Sequence, residues 1–192
     1  MEQSPTKDRI IRTALRLFES CGYSRVSVDQ IVKESGTSKG GFYHNFTSKD
    51  ELLYMIHDFC VTHALEKAEE AIERHDNAKE QLRGIIRSFV LLFDTYQSHL
   101  AIFNEESLHL SREYLKKIEG KRDRYKRLLH QVIEEGVKNG EFRSNSNVTI
   151  VTMAVLGMIN WIYKWYRPDG DFSLEEIADI YTDFVMNGLL PE

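Results

Sequence analysis

Three prolines in 192 residues leave this chain almost no fixed breaks. With only 11 glycines, and with Glu, Lys, Leu and Ile abundant, it lacks the closely spaced turn signals that a sandwich or barrel needs. The expected fold is all-α. A chain this long buries roughly 70% of its unfolded surface, so folding requires neither disulfides nor metals. Cys21 and Cys60 cannot make a framework of bridges, and each sits in a helical pattern as a reduced thiol would. The first residues show no basic segment followed by an apolar run, and no stretch reaches the roughly 18 apolar residues that a membrane span requires. A cytoplasmic protein with no membrane partner is expected.

Charge is uneven along the chain. Residues 1–50 carry eight Lys/Arg against six acids, a balance of +2, while the remainder carries −7 within the total of −5. An acidic protein with a mildly basic head can still bind a polyanion, because the field at the contact surface matters more than the sum.

Apolar spacing predicts about nine helices. The first runs from about Ser4 or Thr6 through Ile10, Ile11, Ala14, Leu15, Leu17 and Phe18, and Gly22, taken as left-handed, ends it. Ser27-Val28-Asp29-Gln30 has capping-box form and opens a short helix that stops at Gly36. Thr37 or Ser38 caps another through Phe46, and Ser48-Lys49-Asp50-Glu51 launches a long helix toward His75. Further helices are expected at 78–97, 98–110, 112–139, 147–165 and 173–189, separated by Asn and Gly-bearing breaks.

Two short helices joined by Ser35-Gly36-Thr37 have the sequence form of a helix-turn-helix, whose second helix lies in the DNA major groove. Ser38, Lys39, Gly40 and Gly41 at its start offer backbone N–H groups and a close approach to phosphate. Lys39 reaches phosphate or the O6/N7 edge of guanine. Thr37, Tyr43 and His44 donate from the outer face, Phe42 and Phe46 anchor inward, and Lys49 lies toward the backbone. A glycine weakens a helix by about 1 kcal/mol relative to alanine, so the pair Gly40-Gly41 points to a body outside the chain that must come close.

Those stretches resemble the DNA-binding domain of the TetR family of bacterial transcriptional regulators. The similar residues are 10–18, Gly22-Tyr23, 27–31, 36–46 and Ser48-Lys49-Asp50-Glu51-Leu52. The resemblance implies residues 1–50 as the DNA-binding domain and 51–192 as a helical effector-binding and dimerisation domain. It implies that Ser27 holds phosphate through its hydroxyl, and that Thr37, Ser38, Lys39, Gly40 and Gly41 form the groove-facing turn and helix start. Tyr43 and His44 become backbone and base contacts and Lys49 a phosphate clamp, whereas Asn45 departs from the Tyr or His frequent there. The partners implied are a pseudo-palindromic double-stranded DNA operator, a second copy of the chain and a small-molecule effector that releases the DNA.

The last two helices carry more apolar surface than one chain needs, and in a TetR-like protein they pair with their copies as a four-helix bundle. Ile177, Ile180, Tyr181, Phe184 and Val185 are expected to form one continuous stripe. Around Asn160, Trp161, Lys164 and Trp165 the sequence resembles TetR-family regulators of fatty-acid or steroid breakdown, some of which bind acyl-CoA. With Phe93 and Phe103 these residues are the candidate effector site, for a largely apolar acid or its CoA ester.

Rival readings are an enzyme, a metal protein and a helical protein-interaction module without DNA binding. No Gly-x-Ser-x-Gly, His-Glu-x-x-His or strand-borne Gly-x-Gly-x-x-Gly occurs, so no enzyme and no cofactor is expected. His57, Cys60 and His63 spread over about 120° of one helix, too wide for a shared ion, so no metal is expected.

Overall fold

A computed structural model describes residues 5–106, 109–145 and 147–191, and for 97–106 the backbone alone. Among these residues the fold is all-α. The chain forms two compact units, Met1–Cys60 with Ser98–Ile118, and Val61–Gln97 with Glu119–Glu192.

The first unit begins with α1 (Pro5–Cys21), which buries Ile10, Ala14, Leu15, Leu17 and Phe18 against α2 (Val28–Ser35) and α3 (Lys39–Asn45). Gly22 ends α1 at φ 78° and ψ 145°, not in the left-handed helical region expected but in one equally reserved for glycine. The chain then makes a 3₁₀ turn, Tyr23–Arg25, whose Tyr23 ring packs edge-on against Phe18 at 5.1 Å. Gly36 adopts φ 64°, ψ 27°, the left-handed turn that lets α3 leave α2 steeply. Helix α4 (Lys49–Arg74) starts in this unit and α6 (Arg112–Lys138) opens in it.

In the second unit, α5 (Ala78–Glu106) contributes Leu82, Ile85, Ile86 and Phe93 to the core, with Leu129 and Ile133 of α6. Where the sequence predicts a break between residues 97 and 98, α5 carries a non-helical residue at Tyr96 (φ −120°, ψ 18°). The N-terminus of α5 is capped from afar: the Glu141 carboxylate accepts the N–H groups of Ala78 (3.2 Å) and Lys79 (3.0 Å). Beside it Phe142 is buried and lies against Gly136, where a Cβ would collide with the ring.

Helices α7 (Val148–Asn160), α8 (Ile162–Trp165) and α9 (Leu174–Leu189) complete the unit. Ser173 and Glu176 form the full capping box that the sequence predicts for α9. The single apolar stripe expected on α9 is instead two faces. Ile177, Val185 and Met186 turn inward, while Ile180 and Phe184 are 55% and 73% exposed. On α7, Val155 and Ile159 are buried, and Ile150 and Met153 stand in the open. The stretch Val148–Trp165 is long and apolar enough by length and composition to cross a bilayer, where the sequence was expected to hold no such stretch. Among the described residues no three potential ligands gather to hold a metal ion, and Cys60 is a buried thiol whose pKa is pushed up to about 12 by burial.

Gly136→Ala should force Phe142 out of its seat. The expected loss is about 1–3 kcal/mol, several degrees in melting temperature, read by thermal unfolding.

Candidate nucleic-acid interface

A seven-residue helix is too short to persist alone, so α3 must be held by its packing. Phe42 is fully buried and Phe46 is 1% exposed, with their rings 5.6 Å apart. Each contributes about 1.5–3 kcal/mol of apolar burial. The opposite side of α3 is left outward. Tyr43 is 54% exposed, and His44, Lys39 and Gly40 are exposed with it.

Two serines start the two helices of the motif. The Ser27 hydroxyl oxygen accepts the Gln30 N–H at 3.1 Å, and that of Ser38 accepts the Gly41 N–H at 3.0 Å. Each therefore uses a lone pair on its helix and keeps an O–H to donate outward. The capping box at Ser27 is only half made, because the Gln30 amide donates to Glu34 instead (3.3 Å). Lys39 Nζ meets Asp29 Oδ1 at 2.8 Å, which sets the first turns of α2 and α3 side by side. That hydrogen bond and the attraction of the carboxylate raise the pKa of Lys39. Both side chains are mostly exposed, so the pair is weak and easily exchanged for a phosphate.

A Cβ on Gly40 would meet nothing nearer than Ser38 Oγ at 3.8 Å, and one on Gly41 would meet the same atom at 3.4 Å, an ordinary contact. Neither has a positive φ. Nothing within the fold demands glycine at either position, whereas a surface pressed against α3 would. Thr37, half-buried, is bound to Ser35 through its hydroxyl (2.9 Å). Asn45 turns its amide back to the Gly41 carbonyl (2.8 Å).

Lys49 is placed differently from a lysine that reaches only outward. Its ammonium donates to the carbonyls of Tyr23 (2.9 Å) and Val26 (2.8 Å) and lies 4.0 Å from the Tyr23 ring centre. It ties α4 to the 3₁₀ turn, and the Tyr23 hydroxyl donates to Asp50 beside it. Sequence reasoning missed this clamp, as it missed Asp29, whose visible signal was only a place in a capping box.

Also missed was what the start of α6 and His109 just ahead of it do within this unit. His109 packs its ring 5.5 Å from Tyr23 and sits 3.4 Å from the Ser24 hydroxyl. Tyr114 stacks on Tyr54 of α4, 4.4 Å apart and 11° from parallel, with Lys117 beside both rings. Burial first, then Asp58, pushes the Tyr54 phenol up to about 12. Tyr114 at the start of α6 thus touches α4, and His109 ahead of it touches the turn that precedes α2.

The candidate effector residues lie in different surroundings. Phe93 is in the core of the second unit, 6.2 Å from the Phe89 ring. Asn160 is exposed with its amide on the Leu156 carbonyl (2.8 Å), Trp161 and Trp165 are 60% and 41% exposed, and Lys164 is exposed over Tyr163. The side chain of Phe103 lies outside the described residues, as does Ser4 at the start of the first helix.

Residues 10–54 match the family described as bacterial regulatory proteins, tetR family, and residues 75–189 match the tetracyclin repressor-like C-terminal domain. The chain belongs to the TetR family. This TetR-family protein is a transcriptional regulator with a helix-turn-helix, and not an enzyme. It is 26% identical over 189 residues to the HTH-type transcriptional repressor KstR2 of Rhodococcus jostii RHA1, across 97% of this chain and 92% of that one. It is 25% identical over 191 residues to the fatty acid metabolism regulator protein of Bacillus subtilis 168, across 98% and 97%. The solved structure of AibR in complex with isovaleryl coenzyme A and operator DNA superposes with a TM-score of 0.81 at 28% identity, covering 93% of this chain and 97% of AibR.

Two substitutions separate the roles of these residues. Gly41→Ala should leave the melting temperature unchanged or raised, by up to about 1 kcal/mol of helix preference, while weakening DNA binding in a gel-shift or anisotropy titration. Lys49→Ala should weaken binding to all sequences alike and also lower the melting temperature. A lysine serving phosphate alone would leave the melting temperature where it was.

Proposed function

We infer that this regulator is a repressor that binds a pseudo-palindromic operator as a homodimer and is released by a largely apolar effector, an acyl-CoA or fatty acid. The observation that carries the DNA half is the outward first turn of α3, capped by Ser38 and stripped of side chains at Gly40 and Gly41 without internal need. In this reading residues 1–50 meet DNA, and 51–192 hold the effector and the second copy, in the cytoplasm. Ser27 and Ser38 donate to phosphate, and Lys39 exchanges Asp29 for phosphate or guanine. Thr37, Tyr43 and His44 contribute backbone and base-edge contacts. One short helix reads only a few base pairs, so specificity requires a dyad and two half-sites.

The exposed apolar side chains of α7 and α9, Ile150, Met153, Ile180 and Phe184, support the second copy, because a large uncovered apolar face marks an interaction surface. Such a cover also removes any reason to place Val148–Trp165 in lipid. Asn160, Trp161, Lys164 and Trp165 border that face; Lys164 supplies a cation for an effector's acidic head, and Phe93 an apolar wall. The fatty acid regulator among the relatives, and the isovaleryl coenzyme A bound to AibR, support the acyl class of effector. Release follows if the effector prefers a placement of α6 in which His109 and Tyr114 shift the head, since a ligand moves an equilibrium only by its differential affinity.

Sedimentation at micromolar concentration should show a species of twice 22.4 kDa, and a monomer alone would refute the dimer. Sequences selected from random DNA should contain an inverted repeat, and acyl-CoAs or fatty acids should dissociate the complex. Selection of no sequence at all, with a competent dimer, would leave the alternative of a helical interaction module.

A further inference from the structure

Most of the buried hydroxyl groups in this protein have a visible purpose, and Tyr125 of α6 does not. The residue is 6% exposed. Its hydroxyl is covered and, among the described residues, makes no hydrogen bond. The ring packs 5.6 Å from that of Phe89, which in turn meets Phe93 edge-on at 6.2 Å. Leu129 and Val132, buried on the same side of α6, extend the apolar surroundings. Tyr23 and Tyr54, by contrast, hand their hydroxyls to Asp50 and Asp58.

A buried phenol ordinarily finds a partner, because an unmet O–H forfeits the hydrogen bond it had in water. Phenylalanine would fill the same volume without that penalty. The extra oxygen therefore fits a partner that arrives with a ligand. Burial raises the phenol pKa, so the group stays protonated and able to donate.

We propose that the Tyr125 hydroxyl is the internal donor of the effector site, recognising a neutral carbonyl oxygen, that of an acyl thioester, while Phe89 and Phe93 receive the apolar chain. The assignment rests on the acyl-effector reading above and narrows it. A single neutral O–H replaces little of a carboxylate's hydration, which disfavours the free acid; a thioester carbonyl surrenders far less.

The test uses the full-length protein on a selected operator. Its probes are acyl-CoAs of graded chain length, the matched S-alkyl-CoA thioethers that lack the carbonyl, and the matched free fatty acids. Release of DNA and effector-induced shifts in melting temperature are both read, each against the same protein without effector. The wild type should respond to the acyl-CoA at about tenfold lower concentration or better than to thioether or acid, and Tyr125→Phe should erase that preference. A Tyr125→Phe protein that still prefers the acyl-CoA overturns the assignment, as does a wild type indifferent to the carbonyl. A variant that melts lower yet keeps the wild-type preference shows a structural, water-bridged phenol and overturns it too. A wild type that binds operator but responds to no probe overturns the acyl-effector reading itself, an outcome distinct from the preceding three.

Discussion

Burial of Phe42 and Phe46 is the interaction on which the function of this regulator depends. Helix α3 has seven residues, two of them glycines, and on its own it would melt. The two rings fix it to the unit from below, and the Ser38 cap fixes its first turn, so its upper side can be given over to polar and small groups. A reader of this kind trades helix stability for approach. Glycines that weaken the helix are tolerated because the aromatic anchors more than offset them, and because α1 and α2 supply the floor. The Lys49 clamp serves the same end. It joins the start of α4 to the turn ahead of α2, so the helix-turn-helix is held as one piece.

The same clamp region receives the opening of α6. His109 against Tyr23, and Tyr114 stacked on Tyr54, bind a segment more than fifty residues away in sequence to the 3₁₀ turn ahead of α2 and to α4. Aromatic contacts of this type are sensitive to small displacements, since stacking is lost over an ångström or two.

The local devices of this fold were legible in the sequence. Ser27, Ser38 and Ser173 cap helices where their spacing says they should, and Gly36 turns where a glycine must. Phe42 and Phe46 were legible as inward anchors because four-residue spacing puts both on one face. What depends on residues distant in sequence was not. Glu141 capping α5, Phe142 seated on Gly136, Lys49 reaching two carbonyls and His109 on Tyr23 join parts of the chain that no periodicity relates. The α9 stripe misled for a different reason: hydrophobicity shows that Ile180 and Phe184 seek cover, but not whether the cover is their own chain or another. Aromatic character, shared by core and binding surfaces alike, did not separate buried Phe93 from exposed Trp161 and Trp165. Tyr125 carried no sequence signal at all, since only the packing around it reveals that its hydroxyl is unmet.

The most direct measurement of the central claim is an equilibrium titration of the purified protein with its selected duplex and with a shuffled duplex over a range of salt. If the outward face of α3 reads the groove, the selected duplex binds at least about 10³-fold tighter, and both affinities fall steeply as salt rises. Equal affinity for the two duplexes, or none for either at low ionic strength, would contradict the account.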